Sequence, residues 1–171
     1  MAKTTIFAAR HEHRPQRKAA PKPKPAPMPP VLVNGTAIPE AEIGRELQYH
    51  PGGSLAQAWQ RAATALVVRE LLRQRCEELG IRGGSEDERI DALLRAEVTT
   101  PEPDEITCRR WYDQNRHKFA GREFPEAKAL VTAYLRDMSW STACSQYVRL
   151  LVGRARIEGL DLEGAESPLL Q

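Results

Sequence analysis

The sequence predicts a mainly α-helical domain of about five helices, with a small two-stranded sheet that joins the N- and C-terminal segments. Apolar residues recur every three or four positions through two long stretches, near 54–79 and 125–156. Serine, aspartate and proline signals for helix starts precede the periodic stretches. Two short segments that indicate strands, VLVNGTAI and the one with Ile157, Leu160 and Leu162, stand at opposite ends of the periodic region, and isolated strands of this length need a partner.

Order is predicted to begin at Val31. The run VLVNGTAI indicates a short strand with a turn at Asn34-Gly35. Pro39 suits the first position of a helix over about 39–49, because its missing N–H costs nothing there. The following Pro-Gly-Gly run ends that helix.

Ser54 is a suitable N-cap for the long second helix, over about 54–79, and Gly80 is its stop. A third helix is predicted to begin at Ser85, because Ser85 and Glu88 have the spacing of a capping box. Both helices carry one apolar face and one charged face, so each is expected to pack against another element.

A fourth helix is predicted over about 103–116, with acidic residues in its first turn and basic residues at its end, as the helix dipole favours. The fifth helix is predicted over about 125–156. Ile157, Leu160 and Leu162 follow it and indicate the second strand of the small sheet.

The charge is divided unevenly along the 171 residues. Residues 1–30 hold seven Lys/Arg and one acid, about +6, whereas residues 31–171 hold 18 basic and 22 acidic residues, about −4. The proline-rich, basic segment 1–30 is predicted to be disordered, because it has too few apolar side chains to form a core. It is interpreted either as a docking arm for an acidic partner, nucleic acid or anionic lipid, or as a solvated linker, and the linker interpretation is favoured.

The remaining bulk features favour a cytoplasmic protein. The start of the chain has no apolar run long enough for a signal peptide, and no stretch approaches the length of a membrane span. Cys76, Cys108 and Cys144 are widely separated, which is typical of reduced thiols. The only close histidine pair, His11 and His13, would make a weak metal site, so neither a metal nor a cofactor is expected.

Large apolar side chains are the candidate functional groups. One interpretation places all of them in the core; a second places some in an open groove that binds apolar client segments; a third places them in a homodimer interface. The client-binding candidates are Trp59, Trp111, Tyr112, Tyr134, Met138 and Trp140.

Three blocks of the chain resemble the chaperone region of SurA, trigger-factor-like and NifM-type parvulin isomerases. The first runs from VNGTAIPEAEI to ELLRQRCEELGI, the second is DERIDALLRAEVTTPEPDEITCRRWYDQNRHKF, and the third is the segment from EFPEAKAL to the C-terminus. The resemblance covers about 31–171 and implies a SurA N-domain-like helical chaperone. In this family the catalytic parvulin domain follows the residues that match Phe119, but here only three residues separate Phe119 from Glu123.

The resemblance therefore implies a chaperone without its own prolyl isomerase domain. Such a protein would act without ATP on unfolded or immature clients, such as a nitrogenase-type or nitrate-reductase-type metalloenzyme. The alternatives are a peptidyl-prolyl isomerase, the activity of the family, or a nucleic-acid or scaffold protein that acts through its basic tail. Nucleic-acid binding is disfavoured because the body is acidic.

Overall fold

The computed structural model describes residues 29–162, which form five α-helices and one three-stranded antiparallel sheet. The mainly helical class and the five helices are as predicted. Short 3₁₀ turns at Leu47–Tyr49 and Arg116–Phe119 follow the first and fourth helices. The elements are β1 (Val31–Val33), β2 (Thr36–Ile38), α1 (Glu40–Glu46), α2 (Leu55–Glu78), α3 (Glu86–Glu97), α4 (Glu105–Gln114), α5 (Phe124–Arg154) and β3 (Ile157–Glu158).

The predicted disordered tail, residues 1–30, lies outside the described residues except for Pro29 and Pro30, and so does the last part of the predicted domain, 163–171. Within 29–162, no helix combines the length and the apolar character that a membrane crossing requires.

The sheet joins the two ends of the described chain, as predicted, but it has three strands where the sequence indicated two. Asn34 and Gly35 both have positive φ, 50° and 85°, so the chain reverses there and β2 returns beside β1. β1 also pairs with β3, with Val33 opposite Ile157. β3 ends before Leu160, and the leucines beyond it pack against the core.

Helix starts follow their capping residues. Ser54 and Ser85 each form a reciprocal capping box with the residue three positions later. α4 begins two residues later than predicted because the Asp104 side chain is the cap and accepts a hydrogen bond from the Thr107 N–H at 2.7 Å.

Three apolar clusters form the core. The first joins β1, α1 and α2 around Val33, and the second lies between α4 and the first half of α5. The third joins α2, α3 and the second half of α5 around Leu93. α5 has 31 residues and is about 46 Å long, so it is shared by the second and third clusters.

A polar network ties α2 to the β1–β2 turn. The Glu70 carboxylate accepts two hydrogen bonds from Arg73 and one from Gln74, each at 2.7 Å. Gln74 in turn donates to the Val33 carbonyl at 3.2 Å and accepts from the Asn34 amide at 2.8 Å. The Glu70 side chain is only 11% exposed, so solvent screens these contacts weakly.

We expect Glu70→Gln to lower the free energy of unfolding by about 1–2 kcal/mol at neutral pH, because it removes a charged acceptor from a mostly covered network. The hydrogen bonds from Arg73, and then from Gln74, hold the pKa of Glu70 below its ordinary 4.5. Its contribution is therefore complete above about pH 4.5 and is lost as the pH falls through the lower folded-state pKa.

Urea denaturation of parent and variant at several pH values measures this difference, which should shrink in acid. Glu77→Gln is the matched control, since Glu77 also pairs with Arg73 but is 65% exposed, and we expect less than about 0.5 kcal/mol for it. A difference for Glu70→Gln that grew in acid would contradict the assignment.

Candidate functional site

α4 and residues 124–138 of α5 form an antiparallel helical hairpin, called the arm below. Its interior is apolar: Cys108 and Tyr112 of α4 are buried against Phe124, Val131 and Leu135 of α5. Because these residues pack only in the second cluster, the arm has its own small core beside the main body.

The turn of the arm closes tightly just after Phe119. Ala120 and Gly121 have φ values of 50° and 83°, which reverse the chain directly into α5. The Tyr112 hydroxyl donates to the Arg122 carbonyl at 2.6 Å and fixes this turn to α4. The two helices thus form a continuous hairpin.

Two ion pairs join the side of the arm away from its turn. Arg136 holds Glu102 with two nitrogens, at 3.0 and 2.7 Å, and Lys128 pairs with Glu105. The hydrogen bond from Lys128 lowers the pKa of Glu105, and the one to Glu102 raises the pKa of Arg136. Both cations therefore have a carboxylate partner, which lies on α4 for Lys128 and in the segment just before α4 for Arg136.

Three large apolar side chains lie in a line along the arm. Leu130, Tyr134 and Met138 are four residues apart, so they share one face of α5, and we call them the α5 stripe. They are 55%, 48% and 47% exposed. Because these three half-exposed apolar side chains are contiguous, this face of α5 is a candidate interaction surface.

The stripe is exposed because α5 buries different sides in its two halves. Leu135 and Cys144 are both buried although about two and a half turns separate them, so they point to opposite sides. Leu130 and Val148 are about five turns apart and therefore lie on the same side. Val148 packs against α2 and α3, whereas Leu130 has no such cover.

Aromatic rings border the stripe on the α4 side. The Trp111 ring lies 4.7 Å from the Tyr134 ring, between centroids, with 37° between the planes. Phe119 meets Trp111 edge-on at 6.0 Å, and the Lys118 ammonium lies 5.5 Å from the Trp111 ring centroid. These contacts hold Tyr134 in a defined place beside the arm's core.

The structure brings together three of the six client-binding candidates: Trp111, Tyr134 and Met138. Tyr112 is buried at 3% exposure with its hydroxyl satisfied, so it is a core residue and does not offer a surface. Trp59 is half-buried against the first cluster, beside Pro29 and Pro30, far along the chain from the arm.

Trp140 is half-buried on a different side of α5, because six residues from Tyr134 correspond to about 240° around the helix. Leu130 also belongs to the stripe, although it is neither aromatic nor flexible as the predicted candidates are. Its spacing of four residues from Tyr134 was the signal that could have identified it.

The other reactive groups are engaged or covered. Cys76, Cys108 and Cys144 are buried and form no disulfide, and burial raises the pKa of the Cys76 and Cys144 thiols. Among residues 29–162, no cluster of three His, Cys, Asp or Glu side chains is arranged to hold a metal ion.

A polar cleft lies between β2 and α2. Arg69, Arg73 and Glu70 line it, and these charges pair with one another or with Glu86. The cleft therefore presents few free charges to a ligand.

Comparisons with protein-family models, with curated proteins and with solved structures found no match to this chain. The resemblance to SurA- and NifM-type proteins stays a prediction, and the α5 stripe is the feature of the described residues on which a functional proposal rests.

Proposed function

We propose that the protein binds apolar segments of unfolded or immature polypeptides along the α5 stripe and holds them without catalysis. The observation that carries this proposal is the line of Leu130, Tyr134 and Met138, each about half exposed, on a helix whose other half buries the same side. Leaving such a line exposed has a hydration cost, which a bound apolar segment would remove.

The chemistry of the stripe supports binding to varied segments. Met138 is unbranched and polarisable, so it adapts to differently shaped neighbours. Tyr134 packs against the Trp111 ring, so an incoming side chain would meet a ring that is already in contact with a neighbour.

The resemblance to SurA- and NifM-type proteins leads to the finer form of the proposal. It is an ATP-independent folding or assembly chaperone in the cytoplasm, and its proposed class of client is a metalloenzyme of the nitrogenase or nitrate-reductase type. The hairpin turn at Ala120 and Gly121 supports the part of the proposal that excludes isomerase activity, since it joins α4 to α5 directly.

We expect the triple variant Leu130→Gln, Tyr134→Gln, Met138→Gln to bind a permanently unfolded, carboxymethylated protein at least about tenfold more weakly. The reason is that the stripe supplies the apolar contact area, and removing about 1.4 kcal/mol of binding free energy is already a tenfold change. Titration followed by fluorescence anisotropy measures the affinity, and circular dichroism checks that the fold is kept.

The matched control replaces three exposed apolar residues outside the stripe: Tyr49→Gln, Leu55→Gln and Ile106→Gln. These side chains are 69–70% exposed, more than those of the stripe. Equal loss of binding in both triple variants would contradict the assignment to the stripe. Catalysed isomerisation of a proline peptide by the parent protein would contradict the non-catalytic part of the proposal.

A further inference from the structure

Two carboxylates border the α5 stripe on the side opposite α4. Glu126 lies one turn before Leu130, and Asp137 lies three residues after Tyr134, so both are placed along the same edge. Both are exposed, and neither forms an ion pair with a residue of the described part of the chain.

The two α5 cations nearest this edge have their main partners elsewhere, and Asp137 adds only a weaker charge interaction with Arg136. Arg136 is held by Glu102, just before α4, and Lys128 by Glu105, the first residue of α4. Lys118 lies over Trp111 at the opposite border. The stripe therefore has acidic side chains along one edge and a single basic side chain, Lys118, at the opposite edge.

Small residues lie on the acidic side of the stripe. Ala129 and Ala133 are both exposed, and each precedes a stripe residue by one position. Side chains of this size permit a second helix to approach closely, because interhelical distance depends on the residues at the contact.

We propose that the occupant of the stripe is an amphipathic segment of another polypeptide whose apolar residues are flanked by Lys or Arg. This inference rests on the proposed function and names its substrate class. The apolar side chains pack on Leu130, Tyr134 and Met138, and the cations meet Glu126 and Asp137. Complementary charge of this kind sets orientation and selects among apolar segments.

A second copy of the chain in an antiparallel arrangement fits this edge less well. In an antiparallel two-fold pair centred on Tyr134, each edge of the stripe would meet the same edge of the partner. Glu126 and Asp137 of one copy would then face the same carboxylates of the other, and like charges oppose one another.

The test uses the full-length protein and two synthetic helical peptides with identical apolar residues, one flanked by lysines and the other by glutamates. We expect the basic peptide to bind at least about tenfold more tightly at low ionic strength, and this ratio to fall as salt is added. The double variant Glu126→Gln, Asp137→Asn should reduce the ratio at least about threefold. The double variant Glu40→Gln, Glu42→Gln, which changes the net charge equally on α1, should leave it unchanged.

The outcomes separate this inference from the proposed function. If both peptides bound equally and the triple variant of the α5 stripe bound neither, the inference would be overturned and the proposed function would stand. Failure of both peptides and of the unfolded protein to bind would overturn both.

Two other occupants are outcomes of the same experiment. A dimer in sedimentation that dissociates in the stripe variant would assign the stripe to a second copy. Tighter binding of the basic peptide after neutralising the seven Lys/Arg of residues 1–30 would assign it to the chain's own tail. Either result would overturn the inference.

Discussion

Gly159→Ala is expected to lower the free energy of unfolding by about 3 kcal/mol or more. Gly159 has a φ of 77°, a conformation that alanine adopts only with strain. A Cβ atom there would also lie 2.1 Å from the Pro30 carbonyl oxygen and 2.9 Å from its carbon. These are backbone atoms, which cannot rotate away, so relief requires β3 to separate from β1.

Gly153→Ala is the matched control for that substitution. Gly153 lies in α5, and an added Cβ would meet no atom within 4 Å. Alanine is favoured over glycine inside a helix, so this variant should be more stable by about 0.5–1 kcal/mol. Urea denaturation measures both. If Gly159→Ala had the same urea midpoint as the parent protein, the close approach of Gly159 to Pro30 would be contradicted.

Leu93→Ala is expected to cost about 2–5 kcal/mol of unfolding free energy, because the lost side chain leaves a cavity that its neighbours only partly fill. Leu93 is fully buried, and its cluster includes Val68 and Leu72 of α2 and Val148 of α5. The substitution therefore weakens the contact between three helices at once.

Leu150→Ala removes the same atoms from a side chain that is 46% exposed. We expect a loss of less than about 1 kcal/mol for it, since the site is already open to solvent. Chemical denaturation of the two variants compares the same leucine-to-alanine change at a buried position and at a half-exposed one. Similar losses for the two leucines would mean that Leu93 is not at the centre of the third cluster.

Local signals in the sequence predicted most of the fold. Ser54, Ser85 and Pro39 stand at helix starts because capping and proline geometry depend only on neighbouring residues. The pairing of the chain ends was also predictable, because two short apolar runs had no other strand to pair with. The third strand is not predicted, because an Asn-Gly pair indicates a turn without fixing whether a second strand follows it, and here β2 does follow.

The candidate site was predicted in part. Large aromatic residues near α4 and α5 pointed to the arm, but periodicity alone could not separate Tyr112, which is buried, from Trp111 beside it. That difference depends on which side of α4 meets α5. The exposed stripe could not be predicted either, since α5 has apolar residues on several sides and only its partners decide which are covered.

The buried side of α5 changes between Leu135 and Cys144. The number of residues between them therefore fixes how the arm is rotated relative to the body. One residue inserted there would rotate the arm about the helix axis by about 100° relative to the body. Leu130, Tyr134 and Met138 would then point in a new direction without any change in their own neighbours within the arm. Insertions of three or four residues, close to one turn, would nearly restore the direction. The number of residues in the middle of α5, rather than their identity, thus sets the direction in which the α5 stripe faces.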